Sequence, residues 1–88
     1  MNSIPLMQIV LDTVLFFELC DDNVVHPDEA VRQLEAISTE LKRLSISDRQ
    51  EFIRYVSAAA DAEEAGHSDN SRIDSMRSLA TRLGLSEP

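Results

Sequence analysis

The chain contains no tryptophan, one cysteine, two glycines and three prolines, and only 5% of its 88 residues are aromatic. Each shortage excludes something. A single cysteine, Cys20, rules out an internal disulfide and suits a reducing compartment. Glu18, Asp21 and Asp22 flank it, which argues against a reactive thiolate. Few β-branched or aromatic runs argue against a sheet fold. Positive charge is also scarce: eight Lys and Arg stand against sixteen Asp and Glu, for a net −8. That balance argues against direct binding to nucleic acid or an anionic membrane. The chain has no unbroken long apolar run either. Its most apolar stretch, Ile4 to Cys20, is interrupted by Asp12 and Glu18, which is too polar for a spanning helix. A basic secretory n-region and an A-x-A-like cleavage site are missing. The expectation is a soluble, cytoplasmic protein with no membrane or nucleic-acid partner.

Catalytic patterns are absent as well. There is no Gly-rich phosphate loop and no Ser-His-Asp arrangement. Asp21, Asp22, His26, Asp28 and Glu29 lie close together but lack the spacing of an EF-hand loop. Asp12 and Glu18, six residues apart on a helix, point about 120° from one another, so they do not form a glycosidase-type pair. His26 precedes a proline and is expected to cap or face solvent, and His67 is a turn residue. The expectation is a non-enzyme without cofactor or metal.

What is present is helical. Leu, Ala, Glu, Arg and Ser dominate. A first helix is expected over residues 4–20, with Pro5 in its first turn. Met7, Val10, Leu11, Val14 and Phe17 form its core face. Pro5, Gln8, Asp12, Phe16 and Leu19 form the opposite face, half polar and half apolar. Two readings stay open for it. The helix is enveloped by its neighbours, or Phe16 and Leu19 belong to an exposed patch for a partner or a second copy. Val24 and Val25 are expected to dip back onto the core. A second helix, 27–44, opens with Pro27, Asp28 and Glu29. Its seam is Ala30, Leu34, Ile37, Leu41 and Leu44, at 4-3-4-3 spacing. Ile46 is expected to plug the core from the following turn. A third helix, 48–65, opens on a Ser47-Asp48-Arg49-Gln50 capping box and carries Phe52, Ile53, Val56, Ala59 and Ala60 inward. Gly66 stops it. A fourth helix, 71–83, is capped by Ser71 with Asp74, or by Asp69. It turns Ile73, Met76, Leu79, Ala80 and Leu83 inward, stops at Gly84, and lets Leu85 fold back. Four amphipathic helices with short connections predict one all-α domain, a compact four-helix antiparallel up-down bundle.

Charge is unevenly placed. The first 31 residues hold six acids (Asp12, Glu18, Asp21, Asp22, Asp28 and Glu29) and no Lys or Arg. Up-down topology brings them to one pole with Asp61, Glu63 and Glu64. Lys42, Arg43, Arg49 and Arg82 go to the other pole. Glu18, Asp21, Asp22, Asp61, Glu63 and Glu64 sit near helix C-termini, where the macrodipole disfavours them. Acids without evident local gain mark a candidate site for a cationic partner, the alternative being a solvated face. Asp12, Phe16, Glu18, Asp21, Asp22, Asp28, Glu29, Asp61, Glu63 and Glu64 are the expected partner-binding set. Neutralising Asp21, Asp22, Glu63 and Glu64 together is expected to raise stability and weaken binding.

Two resemblances bear on function. Asp74-Ser75-Met76 is similar to the Asp-Ser-Leu site of acyl carrier proteins, which are also small, acidic and four-helical. There the modified serine starts the second helix. Here Ser75 lies inside the last one, and Ile73 replaces the expected glycine. The segments FFELCDDNVVHPDEAVRQLEAI and LSISDRQEFIRYV, about half the chain, resemble the small acidic helical immunity proteins of bacterial polymorphic and type VI toxin systems. That resemblance implies a non-enzymatic inhibitor that blocks a cognate toxin, whose target would be cytoplasmic. A carrier role, or a small regulatory module that homodimerises through the first helix, remains the alternative.

Overall fold

A computed structural model describes residues 4–66 and 70–85. It is a four-helix bundle: α1 Ile4–Leu19, α2 Pro27–Lys42, α3 Ile46–Ala65 and α4 Asn70–Arg82. No strand occurs among the described residues.

The helix boundaries follow local chemistry. The His26 Nδ1 accepts the Asp28 N–H at 3.1 Å, and Pro27 opens α2. α3 starts two residues earlier than the capping-box reading placed it. Ser45, not Ser47, is the cap, and its hydroxyl accepts the Asp48 N–H at 3.1 Å. Ile46 thereby becomes the first helical residue and points outward, 55% exposed, instead of plugging the core. Gly66 ends α3 without entering left-handed backbone, at φ −86°. Gly84 does enter it, at φ 71°. There the Leu85 N–H reaches the Ala80 carbonyl at 2.8 Å and the Gly84 N–H reaches Thr81 at 3.1 Å. This Schellman pair turns Leu85 back into the core, where it is buried. Of the two capping readings for α4, Asp69 lies outside the described residues.

The core is built around α1, which packs against each of the other three helices. Met7, Leu11, Val14 and Leu15 are its buried residues. They meet Leu41 of α2, Phe52, Val56 and Ala60 of α3, and Met76, Leu79, Leu83 and Leu85 at the end of the chain. Val10, Leu34, Ile37, Leu44, Ile53, Ala59 and Ala80 pack against this cluster half-buried, as their periodicity predicts. Leu15 takes the place expected for Phe17, which is only half-buried. No polar or charged residue is buried among those described.

α4 packs against α1. Arg72 in its first turn approaches Asp12 at 3.8 Å, and Arg82 in its last turn meets Glu18 at 2.7 Å. The two arginines are about 15 Å apart along their helix, and the two acids about 9 Å apart along theirs. The Arg82 side chain, folded back along α4 to the Ser75 carbonyl at 2.6 Å, thus meets the end of α1, and Arg82 does not belong to an opposite basic pole. The Ser38 hydroxyl donates to the Leu83 carbonyl at 2.6 Å and ties the segment after α4 to the later half of α2.

Candidate functional site: the outward face of α1

α1 is too apolar to be used up by three neighbours. With α2, α3 and α4 on its inner arcs, Ile9, Phe16 and Leu19 remain exposed on one outer arc. Phe16 is 50% exposed and Leu19 43%. Phe16 and Leu19 are therefore exposed and not enveloped by the neighbouring helices. Ile9, also exposed, extends the patch. Its i,i+7 relation to Phe16 was readable from spacing alone. The Phe16 ring is braced edge-on against Phe17, with centroids 5.3 Å apart.

The turn after α1 extends this face. Asp21 Oδ1 accepts the Asn23 N–H at 2.8 Å, and the Asp21 carbonyl accepts the Val24 N–H at 2.8 Å. That closed turn holds Val24 outward, 64% exposed, where burial had been expected. Val25 is half-buried, as expected. Between the turn and the helix runs a shallow groove of about 440 Å³, lined by Asp12, Leu15, Phe16, Leu19, Cys20, Val24 and Arg72.

The acids divide into two groups. One group is engaged within the bundle. Glu63 holds the Arg72 Nε through both carboxylate oxygens, at 2.7 and 2.9 Å. Asp61 and Glu64 share Arg77 at 2.8 and 2.6 Å, and their hydrogen bonds hold its guanidinium above its ordinary pKa. Glu18 pairs with Arg82 and has only 10% of its side chain exposed. Burial pushes the Glu18 carboxyl above its usual pKa, and the charge and hydrogen bond of Arg82 pull it partly back. Glu29 bonds Arg32 and Gln33 on its own helix at 2.8 Å each.

The second group faces outward. Asp12 accepts from Gln8 at 2.8 Å, with Arg72 at 3.8 Å. Asp21 serves its turn. Asp22 and Asp28 are exposed and reach no Lys or Arg among the described residues. So the acids near the end of α3, and Glu18 on α1, oppose their helix dipoles for a tertiary reason: each anchors an arginine of α4. Arg72 bridges acids of α1 and α3, Asp12 and Glu63, whereas Arg77 meets acids of α3 and Arg82 an acid of α1. From the sequence, Arg72 and Arg77 receive no role and Arg82 is sent to the basic pole, because the three fall on different sides of α4. The available signal was that one polar helix carries three of the chain's eight bases.

Other chemistry is sparse. No group of three His, Cys, Asp or Glu side chains able to hold a metal occurs among the described residues. Ser75 is half-buried in mid-helix, and its carbonyl accepts from Arg82 at 2.6 Å. No helix among the described residues is long and apolar enough to cross a membrane. No known protein family, no curated protein and no solved structure matches the chain.

Proposed function

We propose that the chain is a non-enzymatic, protein-binding inhibitor of the immunity-protein kind, which neutralises a cognate toxin in the cytoplasm by occupying part of its surface. One observation carries this reading. The most apolar helix of the fold leaves Ile9, Phe16 and Leu19 in solvent beside Asp12, Asp21 and Asp22. Monomeric proteins rarely leave a contiguous apolar strip of this kind without a use for it. An apolar centre with a charged rim is the anatomy of a protein interface. The sequence resemblance to immunity proteins agrees with it.

The test is co-expression with the product of the neighbouring reading frame. The expected result is survival of cells that the neighbour alone kills, together with co-purification of the two proteins as a stable complex. Cells that die at the same rate with and without this chain would reject the reading.

A further inference from the structure

We infer that the groove over α1 receives an amphipathic helix with a basic flank, supplied by the partner; this rests on the protein-binding reading above. α1 is covered on three sides by α2, α3 and α4. The uncovered arc runs from Ile9 through Phe16 to Leu19 and ends at Val24. Ile9 to Leu19 spans about 15 Å of axis, the length of about three turns of an incoming helix. An added helix would complete the packing around α1 by the same ridge-and-groove contacts its neighbours use. No sheet edge among the described residues offers an extended peptide a strand to pair with.

Charge selects the flank. Asp12 lies within the apolar arc, and Asp21 and Asp22 lie at its end. The one base lining the groove, Arg72, is already held by Glu63 through two hydrogen bonds. The groove therefore presents apolar side chains beside the half-exposed carboxylate of Asp12, which Gln8 and Arg72 share, with the exposed Asp21 and Asp22 just beyond its end. A second copy is a poor occupant, because a two-fold contact sets the same acidic arc against itself on two bodies of charge −8 each. A helix with leucines on one side and lysines or arginines beside them satisfies both features.

The probe is a synthetic Leu/Lys helical peptide of roughly 18 residues, followed by fluorescence anisotropy against the whole chain. A Leu/Glu peptide of the same pattern and a Gly/Lys peptide of the same charge serve as comparisons. The Leu/Lys peptide is expected to bind at least about tenfold more tightly than either. Phe16→Ser and Leu19→Ser are each expected to weaken it by about tenfold, and Asp12→Asn by about two- to fivefold. Glu35→Gln, on the outer face of α2, should leave binding unchanged. Equal binding of the Gly/Lys peptide, or no effect of Phe16→Ser and Leu19→Ser, overturns the proposal. So does a dimer in light scattering that Phe16→Asp dissociates, since the second copy would then be the occupant. Cell protection separates the two readings. Protection that survives Phe16→Ser overturns the groove and leaves the inhibitor standing. Peptide binding that maps to the groove, beside a wild type that fails to protect, supports the groove and rejects the inhibitor.

Discussion

At the residue scale, Glu18 and Arg82 show how one pair can be read in opposite ways. In the sequence Glu18 is an acid at the wrong end of a helix. In the fold it is a nearly buried carboxylate whose cost is offset by a guanidinium from the last turn of α4. Its folded pKa lies above the ordinary carboxylate value. The stability tied to its protonation is therefore fully present below the unfolded value and is lost as pH rises through the folded one. Arg82 limits that loss. Replacing it, as Arg82→Met, leaves an ionised carboxylate without its partner at neutral pH. The expected cost is about 1–2 kcal/mol near pH 7, less than for a fully buried pair because Arg82 is itself part-exposed. The deficit should be smaller at acidic than at neutral pH, because the raised carboxyl of Glu18 takes up a proton more readily as pH falls, and Glu18→Gln/Arg82→Met should recover much of it. Urea denaturation at the two pH values checks this, and an equal deficit at both would reject the burial account. The pair was not legible beforehand, because its members lie 64 residues apart.

At the scale of the element, α4 is the helix held most by charge. It buries Ile73, Met76 and Leu79 and is otherwise polar. Three arginines fasten it to carboxylates of α1 and α3. Neutralising the acids as one class is thus the wrong experiment. Glu63→Gln is expected to lower stability by about 0.5–1 kcal/mol, because it weakens a part-buried, doubly bonded arginine contact. Asp21→Asn with Asp22→Asn should be neutral or stabilising by a few tenths of a kcal/mol, since it relieves the C-terminal dipole of α1. Thermal melts of the two variants should move in opposite directions or differ clearly. Added salt should narrow the gap by screening the Arg72 contact. The helices themselves were readable from spacing and caps. The orientation of α4 was not, because a stripe of apolar residues says which side packs inward but not at what angle it crosses its neighbour.

At the scale of the whole molecule, the radius of gyration is 12.9 Å, against about 12 Å expected for a domain of this length. So small a chain has a stability of only about 5–10 kcal/mol. Phe52, fully buried among all four helices' contributions to the core, is the residue whose loss should be felt most. Phe52→Ala is expected to cost about 3–5 kcal/mol, a large share of that stability. Circular dichroism would register this as a melting transition lowered by tens of degrees. Phe16, of the same size but half in solvent, should give almost no shift when changed to Ser. That contrast separates a core aromatic from one kept for a surface.

The sequence by itself determined the class of fold, four helices to within two residues at each end, most of the core list, and the return of Leu85 after Gly84. These are decided locally, by apolar period, by capping side chains, and by the one glycine at positive φ. Where local reading erred, another local choice was available. Ser45 capped α3 in place of Ser47, and an Asx turn at Asp21 held Val24 out. Only the tertiary structure decided which acids are spent and which are free. That depends on where α4's arginines arrive after crossing α1, a matter of packing angle and not of spacing. The same packing decided that α1, apolar on nearly every side, keeps one face for solvent. Three helices have room to cover three of its sides, and none of the described residues covers the fourth.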